Sequence, residues 1–494
     1  MSDVPDAPDA GSALRAENAA LRARVAELEA ETAELAAHVA EQAKTIARLE
    51  RLISRNSGNS SMAPSGDDQP GKKPPQPKPR RGGKRKPGKQ PGAPGAHLEW
   101  NESPDATVGC FPEGSCGCGA DLAGARDLGV RYSHQVTDLP EARAETTQYD
   151  RHEVQCSCGR VHVAAAPPQA GQPGTVSYGL NFQAWCVFLM VMHHVPVERC
   201  ADILESMSGT RPSDGWVHAV LARAARAVAA ANKAIRALII LARVICGDET
   251  PLRAGPGPKA KKKYLQVACT DLLTFYFLGD RDLPSFRAFV YSDLHGTVVV
   301  HDRYQNYDAF DGISHQLCCA HLLRDIEAAA QDYPDAAWPG QAARELRALI
   351  HAANVARDQG LDSVPGDRTA EHLRLFRHGV NAGLSAVPRI PGGNKKQPPA
   401  RNLLECLKDR EVDVLRFLTD TTIPATSNQA ERDARPAKTQ QKISGRLRSE
   451  TTTRHRYAIR GYASTAIKHG QQVFTVIRDA LAGNAWIPPI PDLT

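Results

Sequence analysis

The chain has 494 residues, 41% of them hydrophobic, which is too long for one ordinary core and sets an expectation of two to four domains. Its apolar runs, such as those around Val187–Met192 and Ala237–Ala242, are far short of a membrane span, and the N-terminus lacks the cations and apolar run of a signal peptide, so a cytoplasmic chain with no membrane partner is expected. The net charge of +6 is modest but unevenly spread, which points to a polyanionic partner more than the total does, and the twelve cysteines, several in close pairs, favour metal ligation or buried thiols over disulfides.

Residues 11–55 read as a heptad helix. Leu14, Leu21, Leu28, Leu35 and Leu49 recur in one register, with Asn18, Val25, Thr32, Val39, Ile46 and Ile53 at the offset positions. Leucine at d with mostly β-branched residues at a is the pattern of a parallel two-stranded coiled coil, and Asn18 at an a position fixes register. A homodimer, or a higher assembly built on it, is therefore expected. Residues 56–98 form a Pro/Gly/Ser-rich basic arm that cannot fold alone. Its string KKPPQPKPRRGGKRKPGK spans 72–89, with nine Lys or Arg and no acid. Lys72, Lys73, Arg80, Arg81, Lys84, Arg85 and Lys86 are its candidate phosphate contacts, binding DNA without sequence preference through counterion release.

Residues 105–165 carry two matched knuckles, Cys116-Gly-Cys118-Gly and Cys156-Ser-Cys158-Gly, separated by 37 residues. Four thiolates are the set a structural Zn²⁺ requires, and a glycine after each pair permits the tight turn. Cys110 is an alternative ligand. Over 175–240 the period is helical: Asn181–Met192, Val197–Met207 and Asp214–Ala230 read as three helices. They form either a helix-turn-helix, whose last helix carries Trp216, His218 and Arg223 into a groove, or a plain bundle.

From Ala242 the period drops to two. ARVICGDET, KKYLQVACTD and LLTFYFLGD read as an antiparallel meander, a helix follows around Ser285–Leu294, and then come the strand TVVVHD and the strand-to-helix run SHQLCCAHLLRD. That order is the order of a ribonuclease H-like α/β fold, here assigned to 241–321 and 422–480. The first and fourth strands then lie side by side, with Asp248 on one and Asp302 just past the other. Paired carboxylates need a cation, and Mg²⁺ (or Mn²⁺) takes hard oxygen ligands beside a phosphate. A third acid would complete a site for two ions. Glu431 is the candidate, since it is followed on one predicted helix by Arg432, Arg435, Lys438 and Lys442, suited to holding the strand being cut. Glu249 is the competing ligand to Asp248, although adjacent strand residues point to opposite faces. Asp308 and Asp311 compete with Asp302 but lie in a turn past the strand.

These residues resemble the insertion-sequence-66 transposases of bacteria. The likeness runs through the heptad N-terminus, Asn59-Ser60-Ser61, GKQPGAPG, the cysteine module, Gly247-Asp248-Glu249-Thr250, Asp302 with Tyr304 and Tyr307, Cys318-Cys319-Ala320-His321, and Asn428-Gln429-Ala430-Glu431-Arg432-x-x-Arg435-Pro436. The resemblance implies that Asp248, Asp302 and Glu431 are an Asp-Asp-Glu triad and that 322–421 is a helical insertion before a tail at 481–494. His321 and Arg324 look like residues at the edge of that site. Cys319 stands where the family usually has Trp. The expected function is a DNA transposase, nucleoid-associated, that cleaves element ends and transfers the freed 3′-hydroxyls into target double-stranded DNA, with accessory transposition proteins as a further partner class. The rival readings are an inactive or domesticated zinc-containing DNA-binding regulator and a related nuclease or Holliday-junction resolvase.

Overall fold

A computed structural model describes residues 10–54, 98–139, 141–165, 176–255, 262–393 and 395–490. The chain divides into two compact units. One comprises residues 77–147 and 206–210, the other the remainder. In the smaller unit the described residues are mostly without regular secondary structure, with a 3₁₀ turn at Leu122–Gly124 capped by Asp121. The larger unit opens with helix α1 (Ala10–Ser54), about 68 Å long at 1.5 Å per residue. Leu14, Leu21, Leu28, Leu35 and Leu49, with Val25, Val39, Ile46 and Ile53, are all exposed along it.

A two-stranded antiparallel hairpin follows, β1 (Glu153–Gln155) with β2 (Val161–Val163). Four helices come next: α2 (Leu180–Met192), α3 (Val197–Ser208), α4 (Asp214–Ala227) and α5 (Ala229–Leu241). The expected third helix through Ala230 thus stops early, at Val228, and a fourth replaces its end. Val228 is buried with Val217, Val220 and Leu221. The break is tertiary, because AARAVAAANKAIRA contains no Gly or Pro to announce it.

The five-stranded sheet has the order β5 (Thr274–Gly279), β4 (Lys262–Cys269), β3 (Val244–Arg253), β6 (Thr297–His301), β7 (Ile313–Leu317). The first three in the chain are antiparallel neighbours, whereas β6 runs parallel to β3, and β7 parallel to β6. The link from β5 to β6 holds α6 (Leu283–Phe289), whose first turn is capped by Asp282, then a 3₁₀ turn at Tyr291–Asp293. Past β7 come α7 (Cys319–Asp332), α8 (Trp338–Asp358), α9 (Gly366–Ala386), α10 (Pro399–Asp409) and the short α11 (Glu411–Leu415). The chain then returns through α12 (Asn428–Ser444), α13 (Glu450–Lys468) and α14 (Val473–Leu481).

Strand alternation gives the sheet two apolar faces. Leu265, Val267, Cys269, Val300 and Leu317 pack on α7, α8, α10 and α12. Ile245, Ala268 and Val299 face α2, α4, α5, α13 and the aromatics Phe286, Phe289, Tyr291 and Tyr307. The base of the helical excursion between β7 and α12 is stitched shut: the Cys319 amide donates to the Ala425 carbonyl at 2.9 Å, and the Ser427 amide to Cys318 Sγ at 3.2 Å. This brings the first turns of α7 and α12 together at one end of the sheet. Among the described residues no helix is long and apolar enough to cross a membrane.

Candidate active site

The parallel register of β3 and β6 ends at the pair Cys246↔Val300. Asp248, on β3, and Asp302, one residue past the end of β6, each lie two residues beyond that pair, where paired backbones are about 4.8 Å apart. Just before Asp248, Gly247 is pressed against two phenols: a Cβ there would stand 2.7 Å from Tyr291 Oη and 3.2 Å from Tyr307 Oη. Only a residue without a side chain lets the aromatic layer close on β3 at that point. Asp248 Oδ1 accepts from the Glu249 amide at 2.9 Å, and Asp302 Oδ1 from the Tyr304 amide at 2.9 Å. Burial, and then the neighbouring Asp302 and Glu431, push Asp248 up to about 6, with His321 pulling the other way.

Helix α12 delivers the third acid. Its small buried face, Ala430, Ala434 and Ala437, permits close approach to β3 and β4. Asp433 pins it: Thr274 Oγ1 and Lys468 Nζ donate to Oδ2 at 2.9 and 2.8 Å, and Gln429 Nε2 to Oδ1 at 3.1 Å. Glu431, in the first turn, then meets α7, accepting from Arg324 Nη2 at 2.9 Å with His321 Nε2 at 3.6 Å. Burial disfavours a charged His321, but Cys318 and Asp302 outweigh it and hold the imidazole up at about 9. A cavity of about 240 Å³ beside these groups is lined by Arg281, Asp302, Arg303, Tyr304, His321 and Asp325.

The basic side chains of α12 divide between two sides. Lys438, two turns after Glu431, is lowered by burial while Asp248 and Glu431 draw it back up, so it faces the acids. Arg435 is exposed beside it, and Lys442 is exposed at the helix end. Arg432, expected in the same row, stands on the other side. It turns a third of a turn away, bonds Gln429 and lines a separate cavity of about 320 Å³ with Thr270, Thr426 and Asn428.

Glu249 is on the opposite sheet face from Asp248, yet it is not a bystander. Its side chain is 2% exposed, bonded by Arg281 Nε at 2.9 Å and Nη2 at 2.8 Å and by the Tyr307 hydroxyl at 3.1 Å. Burial, then Asp302 and Asp248, raise it to about 8 against the pull of Arg281. Sequence reasoning weighed Glu249 only as a rival ligand and missed Arg281 altogether. The lone signal, an arginine between two aspartates in the turn Asp280-Arg281-Asp282, is common in surface loops.

The two cysteine knuckles share one local geometry. Cys116 N donates to Ala120 O and Gly119 N to Cys116 O, both at 2.8 Å, and Cys156 N to Arg160 O and Gly159 N to Cys156 O, again at 2.8 Å. Gly119 and Gly159 have φ of 89° and 87°, which a side chain rarely adopts. Cys110, Cys116, Cys118, Cys156 and Cys158 are exposed. Among the described residues, no group of three or more His, Cys, Asp or Glu is gathered tightly enough to hold a metal as it stands. The basic-arm residues Lys72, Lys73, Arg80, Arg81, Lys84, Arg85 and Lys86 lie outside the described residues. On α4, His218 and Arg223 are exposed, whereas Trp216 packs tilted against Tyr178 and edge-on against Phe182 at ring distances of 4.3 and 5.8 Å.

A family model described as Transposase IS66 family matches residues 175–455, more than half of the chain. The chain belongs to this family. The match contains Asp248, Asp302 and Glu431, with the helices before them, and stops short of both cysteine knuckles. Residues 7–99 of this IS66 member match a second model, described as a family of unknown function (DUF6444). No curated protein matches it. Membership gives the IS66 chain a role in transposition, and DNA as the molecule it engages.

Proposed function

We propose that the chain cleaves phosphodiester bonds at element ends and transfers the resulting 3′-hydroxyls into target DNA, on a ribonuclease H-like sheet whose Asp248, Asp302 and Glu431 form the acid triad. The observation that carries this is the matched placement of Asp248 and Asp302, each two residues past Cys246↔Val300, with Glu431 docked at the same end of the sheet.

The donor set is of the kind that Mg²⁺ or Mn²⁺ takes, hard carboxylate oxygens, although as they stand they are not gathered tightly enough to hold an ion and their charge is met by other cations. Arg281 Nη2 is 3.7 Å from Asp302 Oδ2, Arg324 and His321 face Glu431, and Lys438 faces Asp248 and Glu431. Asp248, Asp302 and Glu431 would hold two such ions. When bound, they would activate an attacking water or hydroxyl and neutralise the leaving oxygen. The chain's own part is positional. The sheet fixes two acids, Asp433 holds α12 so that the third stays in place, and Lys438 and Arg435 stand ready beside it for the DNA backbone. No covalent protein intermediate is needed.

The exposed leucine stripe of α1 supports a parallel dimer. The matched knuckles support structural Zn²⁺ on Cys116, Cys118, Cys156 and Cys158, a reading that a zinc-free metal analysis of the purified chain would remove. The basic arm before them would hold DNA non-specifically.

The full chain, incubated with Mg²⁺ and duplexes carrying the ends of its own element, separates the readings. Cleavage with joining supports the transposase. Cleavage without joining indicates a nuclease, and retention without cutting a DNA-binding regulator.

A further inference from the structure

Glu249 is a deeply buried carboxylate at the rim of the acid site that the proposed chemistry leaves without a task. Its side chain meets Arg281 and Tyr307. Both Arg281 bonds fall on Oε1, while Tyr307 occupies Oε2. The far side of the guanidinium is fixed as well: it lies 3.9 Å from the centre of the Tyr304 ring, and the Tyr304 hydroxyl donates to the Arg281 carbonyl at 2.7 Å. Tyr304 in turn holds Asp302 through its amide. Arg281 and Asp302 are therefore set against each other by one tyrosine, and both line the same cavity.

The guanidinium fork explains what remains. Nε and Nη2 face Glu249, and no described residue bonds Nη1. A lysine could not serve an anchor and a second acceptor in one plane. A phosphodiester approaching three carboxylates is repelled unless a cation stands beside them, and a pre-anchored cation costs least to use.

We propose that Arg281 clamps a non-bridging oxygen of the phosphate to be cut, and that Glu249 is the positioning residue that aims it. This rests on the transposase reading for the identity of that phosphate. The rival is a purely structural pin between β3 and the turn before α6.

The test is binding of the full chain, in EDTA, to duplexes spanning the junction between an element end and its flank. The junction linkage is either a phosphate or a neutral methylphosphonate. The wild type should bind the neutral version roughly tenfold more weakly, the size of one lost charged hydrogen bond. R281Q should bind both alike, and E249L, which keeps the cation but removes its anchor, should lose most of the discrimination. R281K, which keeps a charge, guards against a misfolded R281Q and should discriminate in part, with melting temperatures recorded for each variant. Equal discrimination by wild type and R281Q, or none by the wild type, overturns the clamp. Cleavage by the wild type in Mg²⁺ is scored separately. Discrimination without cutting sinks the transposase chemistry and leaves the clamp, and cutting with unchanged discrimination in R281Q sinks the clamp alone.

Discussion

Burial and its acid neighbours work against a charge on Asp248. Its carboxyl is raised from 3.8 to about 6, chiefly by burial and then by Asp302. The native state therefore keeps a proton between about pH 4 and 6 that the unfolded chain has lost. Stability contributed by this group is present at low pH and falls as pH rises through that window. In metal-free buffer, D248N should be the more stable protein at pH 8, by about 1–3 kcal/mol at 1.4 kcal/mol per pKa unit. The advantage should disappear below about pH 4, and melting temperatures across pH would show it. Identical melting at pH 8 would mean that Asp248 is not crowded by the other acids. Little of this was legible in the sequence. The acids themselves could be named from strand order, but Arg281 lies 32 positions from Glu249 in a turn. Asp433, which reads in the sequence as a mere counter-charge on a basic helix, proves to be the pin of that helix.

Helix α12 shows what an element must do to place one residue. Its face of alanines supplies little apolar area, so docking leans on the Asp433 network with Thr274 and Lys468. Both ion-pair partners are nearly buried, at 12% and 11% side-chain exposure. Removing one leaves the other unpaired, which costs roughly 3–5 kcal/mol at such sites. D433A should accordingly lose on the order of 3 kcal/mol in urea unfolding, and a loss under 1 kcal/mol would show that α12 is held by something else. The meander β3–β4–β5 was readable because period-two runs separated by turns have few alternatives. The α4–α5 break was not, since only the buried Val228 and its neighbours mark it. The two sides of α12 were not told apart for a related reason: a row of Arg and Lys in sequence says nothing of which side meets the sheet.

At the scale of the whole molecule, α1 presents an apolar stripe that no described residue covers over most of its length. Two chains would bury it against each other at the a and d positions. Light scattering should find a dimer for the wild type and a monomer for L21E combined with L28E. A monomeric wild type would contradict the coiled coil without touching the acid site. A dimer would present two acid sites, and two basic arms, to a pair of DNA ends.

The central claim is that residues scattered over nearly two hundred positions of the chain make one cation site. Titration of the full chain with Mn²⁺, followed by loss of the free-ion electron paramagnetic resonance signal, measures it without DNA or turnover. Binding by the wild type, weakened at least tenfold in each of D248N, D302N and E431Q, is the expected result. Unchanged Mn²⁺ affinity in any one of the three would remove that acid from the site, and unchanged affinity in all three would contradict the account.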